Sequence, residues 1–96
     1  MKVRFTAAAH QEVREALEYY EGQEEGLGAK FLNELESTIS RIVGMPEAWK
    51  PLSARTRRCM FHRFPYGVIY QPGRDEILIL SIMNLHRQPR SWETLI

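Results

Sequence analysis

The residues best suited to chemistry are histidines and arginines placed where predicted strands begin and end. His86 and Arg87 come directly after a long apolar segment, and His62 and Arg63 come shortly before Pro65. Cleaving RNA without a metal ion requires a base for the 2′-hydroxyl, an acid for the leaving 5′-oxygen and cations for the charged phosphorane. Histidine and arginine can fill these roles, so these side chains are candidates for phosphate chemistry.

Further basic residues extend both groups, with Arg55, Arg57 and Arg58 on one side and Arg90 on the other. In a meander, the carboxyl end of the last strand lies near the amino end of the strand before it. The two groups are therefore expected to share a face of the sheet. Because arginine makes bidentate contacts to phosphate and carboxylate, the expected partner of such a face is an anion.

The two halves of the chain carry opposite net charges. The net charge is +1, but residues 1–36 contain eight glutamates against four lysines and arginines, whereas residues 37–96 carry a net charge of +5. This asymmetry indicates a basic face that meets nucleic acid or an acidic protein. Arginines that lie on exposed strand edges without binding a partner would give the same net charge.

Several of these side chains also have a structural explanation. His62 fits an exposed strand residue, and His86 fits a hydrogen-bonding role at a strand end as well as a functional one. Trp92 can stack on a nucleic-acid base or cover the open end of the sheet. Cys59 has no base beside it in sequence and is expected in the core rather than as a nucleophile.

Composition and motif content exclude several classes of protein. The 96 residues are 44% hydrophobic and 26% charged, as in ordinary globular chains, so we assign residues 1–96 to a single domain. Glycine-rich phosphate loops, zinc-protease motifs and EF-hand spacing are missing from the sequence, and we expect no metal or other cofactor. With one cysteine, no signal-peptide pattern and no membrane-length apolar segment, we expect a cytoplasmic protein that does not contact a membrane.

The first half of the chain predicts a short strand and two helices. Residues 2–5 alternate as in a half-buried strand, and Thr6 can cap a helix that runs to about residue 21, with Gly22 marking its end. Apolar residues repeat every three or four positions from Leu27 to Ile42, until Gly44 and Pro46 stop the pattern, which predicts the second helix. The short connection favours an antiparallel helical hairpin whose apolar faces need a sheet to cover.

The second half predicts that sheet. Turn signals separate three predicted strands, 57–63, 66–71 and 76–84. Residues 77–83 are nearly all apolar, as expected for an inner strand packed on both faces. The predicted element order is β-α-α-β-β-β, and the predicted fold class is α+β, with an N-terminal helical hairpin packed on a small antiparallel β-sheet.

These features in this order resemble a known family over nearly the whole chain. The matching residues are Tyr19-Tyr20, Gly26-Leu27-Gly28, Phe31, Glu34, Pro46, the segment from Arg63 to Tyr70, His86-Arg87-Gln88-Pro89 and Trp92. In this pattern the chain resembles the RelE/ParE superfamily of bacterial type II toxins, also described as plasmid stabilisation proteins. The family fold is a small antiparallel sheet against an N-terminal helical hairpin, as predicted above.

The resemblance implies a toxin that arrests growth and is neutralised by a cognate antitoxin encoded beside it. An acidic antitoxin segment would account for the basic second half. A homodimer and a heterotetramer with the antitoxin both remain open. The residues expected to bind target or antitoxin are Arg55, Arg57, Arg58, Arg63, Arg87, Arg90 and Trp92. Of these, Arg58, Arg63 and Arg87 are expected in one basic groove.

The two branches of this superfamily act on different targets. RelE-like toxins cut mRNA in the ribosomal A site, an activity that would use His86, Arg87 and Arg63 as catalytic residues, whereas ParE-like toxins inhibit DNA gyrase. Gly67 stands where RelE-like enzymes carry a catalytic arginine, and Trp92, which cannot exchange a proton, stands where they carry a tyrosine. We therefore expect ParE-like arrest through gyrase. A metal-independent, ribosome-dependent endoribonuclease and a non-toxic antitoxin-binding module are the alternatives.

Overall fold

The computed structural model describes residues 1–86 and shows a helical hairpin packed on one face of a five-stranded sheet. The elements are β1 Lys2–Phe5, α1 Ala7–Gln23, α2 Leu27–Gly44, β2 Lys50–Pro51, β3 Arg57–Met60, β4 Tyr66–Pro72 and β5 Glu76–Asn84. The strands lie in the order β1-β5-β4-β3-β2. The predicted α+β class with an N-terminal hairpin on a sheet is confirmed.

The sheet is more elaborate than the predicted meander. β1 pairs in parallel with β5, while the other neighbouring strands are antiparallel, so the sheet is mixed. β2 was not predicted, because a strand of two residues shows no alternation. β3 ends at Met60 rather than at residue 63, because Phe61 N–H donates to Tyr66 O at 2.9 Å and closes a turn.

The ends of the two helices are set by side chains that bind backbone amides. Thr6 Oγ1 accepts from Ala9 N–H at 3.1 Å, which confirms the predicted cap. The predicted end of α1 at Gly22 is wrong, since the helix continues to Gln23. The turn is instead organised by Glu21, whose carboxylate accepts from the N–H groups of Gly26 and Gly28, each at 3.0 Å.

The core lies between the hairpin and the sheet. Phe31, Leu35 and Ile42 of α2 are buried against residues of the central strands, including Ile77 and Ile79. β5 is an inner strand, as predicted from its apolar run. Its one buried polar residue, Ser81, lies at a shift in the register between β4 and β5.

The loop after α2 is tied to the sheet by a buried tyrosine. The Tyr70 hydroxyl donates to the carbonyl of Pro46. Burial raises the pKa of Tyr70 to about 12, so the phenol stays protonated and remains a donor at neutral pH. This contact fixes the loop that leads to β2 and β3, where several predicted site residues lie.

Candidate functional site

The predicted site residues within 1–86 lie in several separate places. His86 lines a groove between α1 and the ends of β4 and β5, which we call the α1 groove. His62 and Arg63 line a second groove beside α2, the α2 groove. Arg55 and Arg57 line a third cavity at the other end of β4. The predicted residues Arg87, Arg90 and Trp92 lie outside the described residues.

The strand ends meet as predicted, yet His86 and Arg63 line different cavities. Tyr66 at the start of β4 pairs with Asn84 at the end of β5, and Leu85 N–H donates to Pro65 O at 2.8 Å. His62 N–H, however, donates to Glu34 Oε2 of α2 at 3.2 Å. That contact holds the turn before β4 against α2, whereas the chain leaving β5 follows the side of α1.

The α1 groove has a volume of about 340 Å³ and an acidic, aromatic lining. Helix α1 contributes residues three or four positions apart, which places them on one stripe of its surface. The described lining residues are Glu12, Glu15, Ala16, Tyr19, Tyr20, Tyr66, Ile82, Asn84 and His86. Its side chains can offer carboxylate acceptors and tyrosine rings to a bound group.

Glu12 is fixed by the irregular point of β5. Ile69 and Tyr70 of β4 are adjacent, but their partners on β5 are Ser81 and Ile79, so one residue of β5 is skipped in the register. Glu12 Oε1 accepts from Ser81 Oγ and from the backbone N–H of Ile82, each at 2.9 Å. The carboxylate thus pairs the Ser81 hydroxyl and a backbone N–H at the point where the ladder is disrupted.

Three tyrosines form the aromatic wall of the α1 groove. The rings of Tyr19 and Tyr20 meet edge to face at 5.1 Å, and those of Tyr20 and Tyr66 at 6.1 Å. Burial raises the pKa of Tyr20, although its hydrogen bond with Tyr66 acts in the opposite direction. Asn84 Nδ2 donates to the Tyr66 hydroxyl at 3.2 Å and orients that ring. Tyr20 stacks on Phe31 of α2 and so packs the hairpin, whereas Tyr19 is 55% exposed.

His86 is exposed at the mouth of the α1 groove. Its backbone N–H donates to Asn84 Oδ1 at 2.9 Å, which turns the chain at the end of β5. This contact combines the two roles considered from the sequence, because a strand-end hydrogen bond places the imidazole at a cavity. The role of the ring in catalysis stays a prediction.

The α2 groove, with a volume of about 550 Å³, has a cationic edge and an apolar wall. Lys30 and Arg63 are exposed at its edge, and Leu27 and Phe64 contribute apolar surface. Asn33, Ser37 and His62 add polar groups, and Glu34, which accepts from the His62 N–H, is the acidic residue of this lining. This arrangement can bind an amphipathic segment that carries carboxylates.

The other predicted arginines, Arg55, Arg57 and Arg58, lie in or beside β3. Arg57 Nη1 donates to Trp49 O at 2.8 Å, and its Nη2 lies 3.4 Å from Glu47 Oε1, so this side chain supports a loop. Arg55 is exposed at the third cavity, which has a volume of about 350 Å³. Arg58 lies on the sheet face opposite to the core, and its buried Nε has no hydrogen-bond partner among the described residues.

Gly67 has little space for a side chain. A Cβ at this position would lie 3.0 Å from Met60 Sδ and 3.5 Å from Arg58 Cγ. Met60 and Arg58 therefore fill the space over Gly67 on the sheet face opposite to the core. This is the strand position at which the resemblance places an arginine in RelE-like enzymes.

Cys59 is a core residue, as predicted. It is 1% exposed, and burial raises the pKa of its thiol, with an opposing effect from Arg41. Arg41 Nη1 lies 3.5 Å from the Cys59 sulfur and its Nη2 donates to Met60 O at 3.2 Å. A buried thiol kept protonated in this way is a poor nucleophile.

Sequence reasoning missed the positions of Glu12 and Glu15, which were not among the predicted site residues. The available signal was their spacing with Tyr19, since residues 12, 15, 16 and 19 share one stripe of a helix. The contact of Glu12 with β5 had no such signal, because it depends on a register shift that arises only when the sheet assembles.

Within residues 1–86, no helix is long and apolar enough to cross a membrane. The same part of the chain has no cluster of three histidine, cysteine or acidic residues arranged to hold a metal ion.

Comparison with known proteins identifies a family. The sequence profile described as "ParE toxin of type II toxin-antitoxin system, parDE" matches residues 3–89. A solved structure described as the "Chromosomal ParDE TA system from P. aeruginosa" superposes with a TM-score of 0.75 at 17% identity, covering 88% of this chain and 96% of that one. At this identity the likeness concerns the fold. No curated protein matches the chain in sequence.

Proposed function

Because the chain belongs to the ParE toxin family of type II toxin-antitoxin systems, we propose that it arrests growth through DNA gyrase and is neutralised by a cognate antitoxin. The observation that carries this proposal is the match of the ParE profile to residues 3–89. The family resemblance supplies gyrase as the target, and the cytoplasm is then the compartment in which the chain would meet it.

The separation of His86 from Arg63 supports gyrase inhibition over RNA cleavage. A general base and a phosphorane-stabilising cation must reach the same phosphate group, whereas these two residues line different cavities. The packing of Met60 and Arg58 over Gly67 also leaves little space for the side chain that RelE-like enzymes carry there.

We place the antitoxin contact in the α2 groove. Lys30 and Arg63 supply exposed positive charge, and Leu27 and Phe64 supply apolar surface beside it. An amphipathic antitoxin segment would pair its carboxylates with the two cations and bury its apolar side chains on the wall.

Induced expression in bacteria tests the target. We expect growth arrest, relief of the arrest by co-expressed antitoxin, and relaxation of plasmid DNA isolated from arrested cells while mRNA stays intact. Specific A-site cuts in mRNA together with normally supercoiled plasmid would identify a ribonuclease and refute the gyrase proposal. An absence of growth arrest would refute the toxin proposal itself.

Substitution in the α2 groove tests the antitoxin contact. The double variant Lys30→Gln and Arg63→Gln is expected to weaken antitoxin binding about 10-fold or more, since each charged contact at an interface contributes on the order of 1 kcal/mol. Arg74→Gln, at the exposed β4–β5 turn, is the matched control. Equal antitoxin affinity of the double variant and the control would exclude the α2 groove as the contact.

A further inference from the structure

The turn between β3 and β4 carries two residues of the α2 groove, Arg63 and Phe64. Two contacts attach this turn to the helix α2. The backbone N–H of His62 donates to Glu34 Oε2 at 3.2 Å, and the Phe64 ring packs edge to face against Phe31 with centroids 5.2 Å apart. The backbone of Arg63 is thus held on both sides, although its side chain is exposed.

The Glu34 carboxylate is nearly enclosed where it binds the turn. Its side chain is 9% exposed, and Arg41 Nη2 lies 4.0 Å from the same oxygen that accepts from the His62 N–H. Arg41 is anchored in turn, since its Nη2 donates to Thr38 Oγ1 at 3.0 Å and to Met60 O at 3.2 Å. A carboxylate with so little access to water needs partners of this kind.

Glu34 is also the acidic residue among the described lining residues of the α2 groove. An uncompensated carboxylate there would repel the antitoxin carboxylates that Lys30 and Arg63 are proposed to bind. Because Arg41 and the His62 N–H offset the charge of Glu34, the positive charge at the edge of the groove is kept.

We propose that Glu34 is the positioning residue of the α2 groove. It holds the backbone of the turn, so that Arg63 and Lys30 face one groove before the antitoxin binds. Less conformational freedom is then lost in the complex. This inference rests on the proposed function, because it takes the antitoxin as the occupant of the groove. The antitoxin contacts Lys30 and Arg63, and Glu34 acts through the turn.

Amide hydrogen exchange in the free chain tests the contact between Glu34 and the turn. In Glu34→Ala the His62 amide loses its acceptor, and we expect it to exchange at least about five-fold faster than in wild type. Glu34→Gln keeps an acceptor oxygen, so exchange at His62 is expected to stay within about two-fold of wild type. Glu36→Ala, at an exposed glutamate of the same helix, is the control and should leave this exchange unchanged.

Affinity for the antitoxin encoded beside the chain tests the effect on binding. Glu34→Ala is expected to weaken binding about three- to ten-fold, because the turn must then be ordered in the complex. Glu34→Gln should bind at least as tightly as wild type, since it keeps the acceptor and removes a negative charge from the groove. Ile42→Val, a core change in α2 that does not line the groove, controls for lost stability and should bind with wild-type affinity.

Equally slow exchange at His62 in wild type and Glu34→Ala would show that Glu34 does not hold the turn, and the proposal would be wrong. Faster exchange in Glu34→Ala with wild-type affinity for the antitoxin would refute the positioning role. If the double variant Lys30→Gln and Arg63→Gln also binds with wild-type affinity, the antitoxin contact of the proposed function fails, and this proposal fails with it. Weaker binding by the double variant alone would count against Glu34 only.

Discussion

Glu12 connects α1 to the inner strand β5 through its carboxylate oxygen Oε1. That oxygen accepts from Ser81 Oγ and from the backbone N–H of Ile82, a residue that is 1% exposed. The donors belong to the part of β5 where the register with β4 shifts. A side chain that the sequence places on a helix face is therefore part of the sheet's hydrogen bonding.

Glu12→Ala is expected to lower the free energy of unfolding by about 1–3 kcal/mol, because it leaves a buried N–H without its acceptor. Urea unfolding monitored by circular dichroism measures the change. Glu18→Ala, an exposed glutamate on the same helix, is the control and should stay within about 0.5 kcal/mol of wild type. A Glu12→Ala value within the range of the control would show that the contact with β5 does not stabilise the fold.

Cys59 gives a second prediction for a single residue. Its sulfur is buried and the pKa of its thiol is raised, so both access and the thiolate fraction are low. We expect iodoacetamide at neutral pH to label the native protein at least about 100-fold more slowly than the protein in urea. Mass spectrometry follows the reaction, and native labelling within roughly 10-fold of the unfolded rate would contradict this placement of Cys59.

At the scale of elements, the hairpin turn depends on Glu21 and two glycines. Gly26 has a φ of 90°, a backbone conformation that disfavours other residues. A Cβ on Gly28 would lie 2.9 Å from Glu21 Oε1, so the carboxylate reaches the backbone only because this position has no side chain. Hydrogen bonds from Gly26 and then Gly28 lower the pKa of Glu21.

The lowered pKa of Glu21 predicts a pH dependence for the hairpin. Its contribution to stability is present above the unfolded pKa, near 4.5, and is lost as the pH falls through the lower folded value. Glu21→Gln is therefore expected to flatten the loss of stability below about pH 4.5 relative to wild type. Urea unfolding at several acidic pH values measures this, with Glu18→Gln as control. Parallel stability curves for wild type and Glu21→Gln would contradict the assignment.

The elements show which features local patterns could predict. The helical period that begins at Leu27 and the stop at Gly44 predicted the bounds of α2, and the apolar run from Ile77 predicted the inner strand β5. The predicted end of α1 was wrong because glycine is typical of a helix C-terminus, which favoured an end at Gly22. The observed helix continues to Gln23, and the Glu21 carboxylate binds the Gly26 amide beyond it. β2 and the parallel pairing of β1 with β5 arise from contacts distant in sequence, which local periodicity does not report.

The candidate site was predictable in its residue types but not in its grouping. Adjacent strand ends were expected to unite His86 with Arg63, and those strand ends do meet. The turn before β4 is bound to Glu34 of α2, so Arg63 lines the α2 groove while His86 lines the α1 groove. The strand order determines which strand ends are neighbours. The cavity that the residues next to each strand end line depends on the helix that their turn contacts.

At the scale of the whole molecule, the two grooves differ in the charge of their linings. The α1 groove presents glutamates and tyrosines, whereas the α2 groove presents Lys30 and Arg63 beside apolar side chains. In our account the α2 groove binds the antitoxin.

The most direct test of the central claim is a supercoiling reaction with purified gyrase, relaxed plasmid and ATP, to which the purified chain is added with and without its antitoxin. We expect supercoiling to be inhibited in proportion to the chain added and to be restored by an equimolar amount of antitoxin. A purified translation reaction under the same conditions should leave its mRNA whole. Undiminished supercoiling by gyrase, at chain concentrations that arrest growth in cells, would contradict the account.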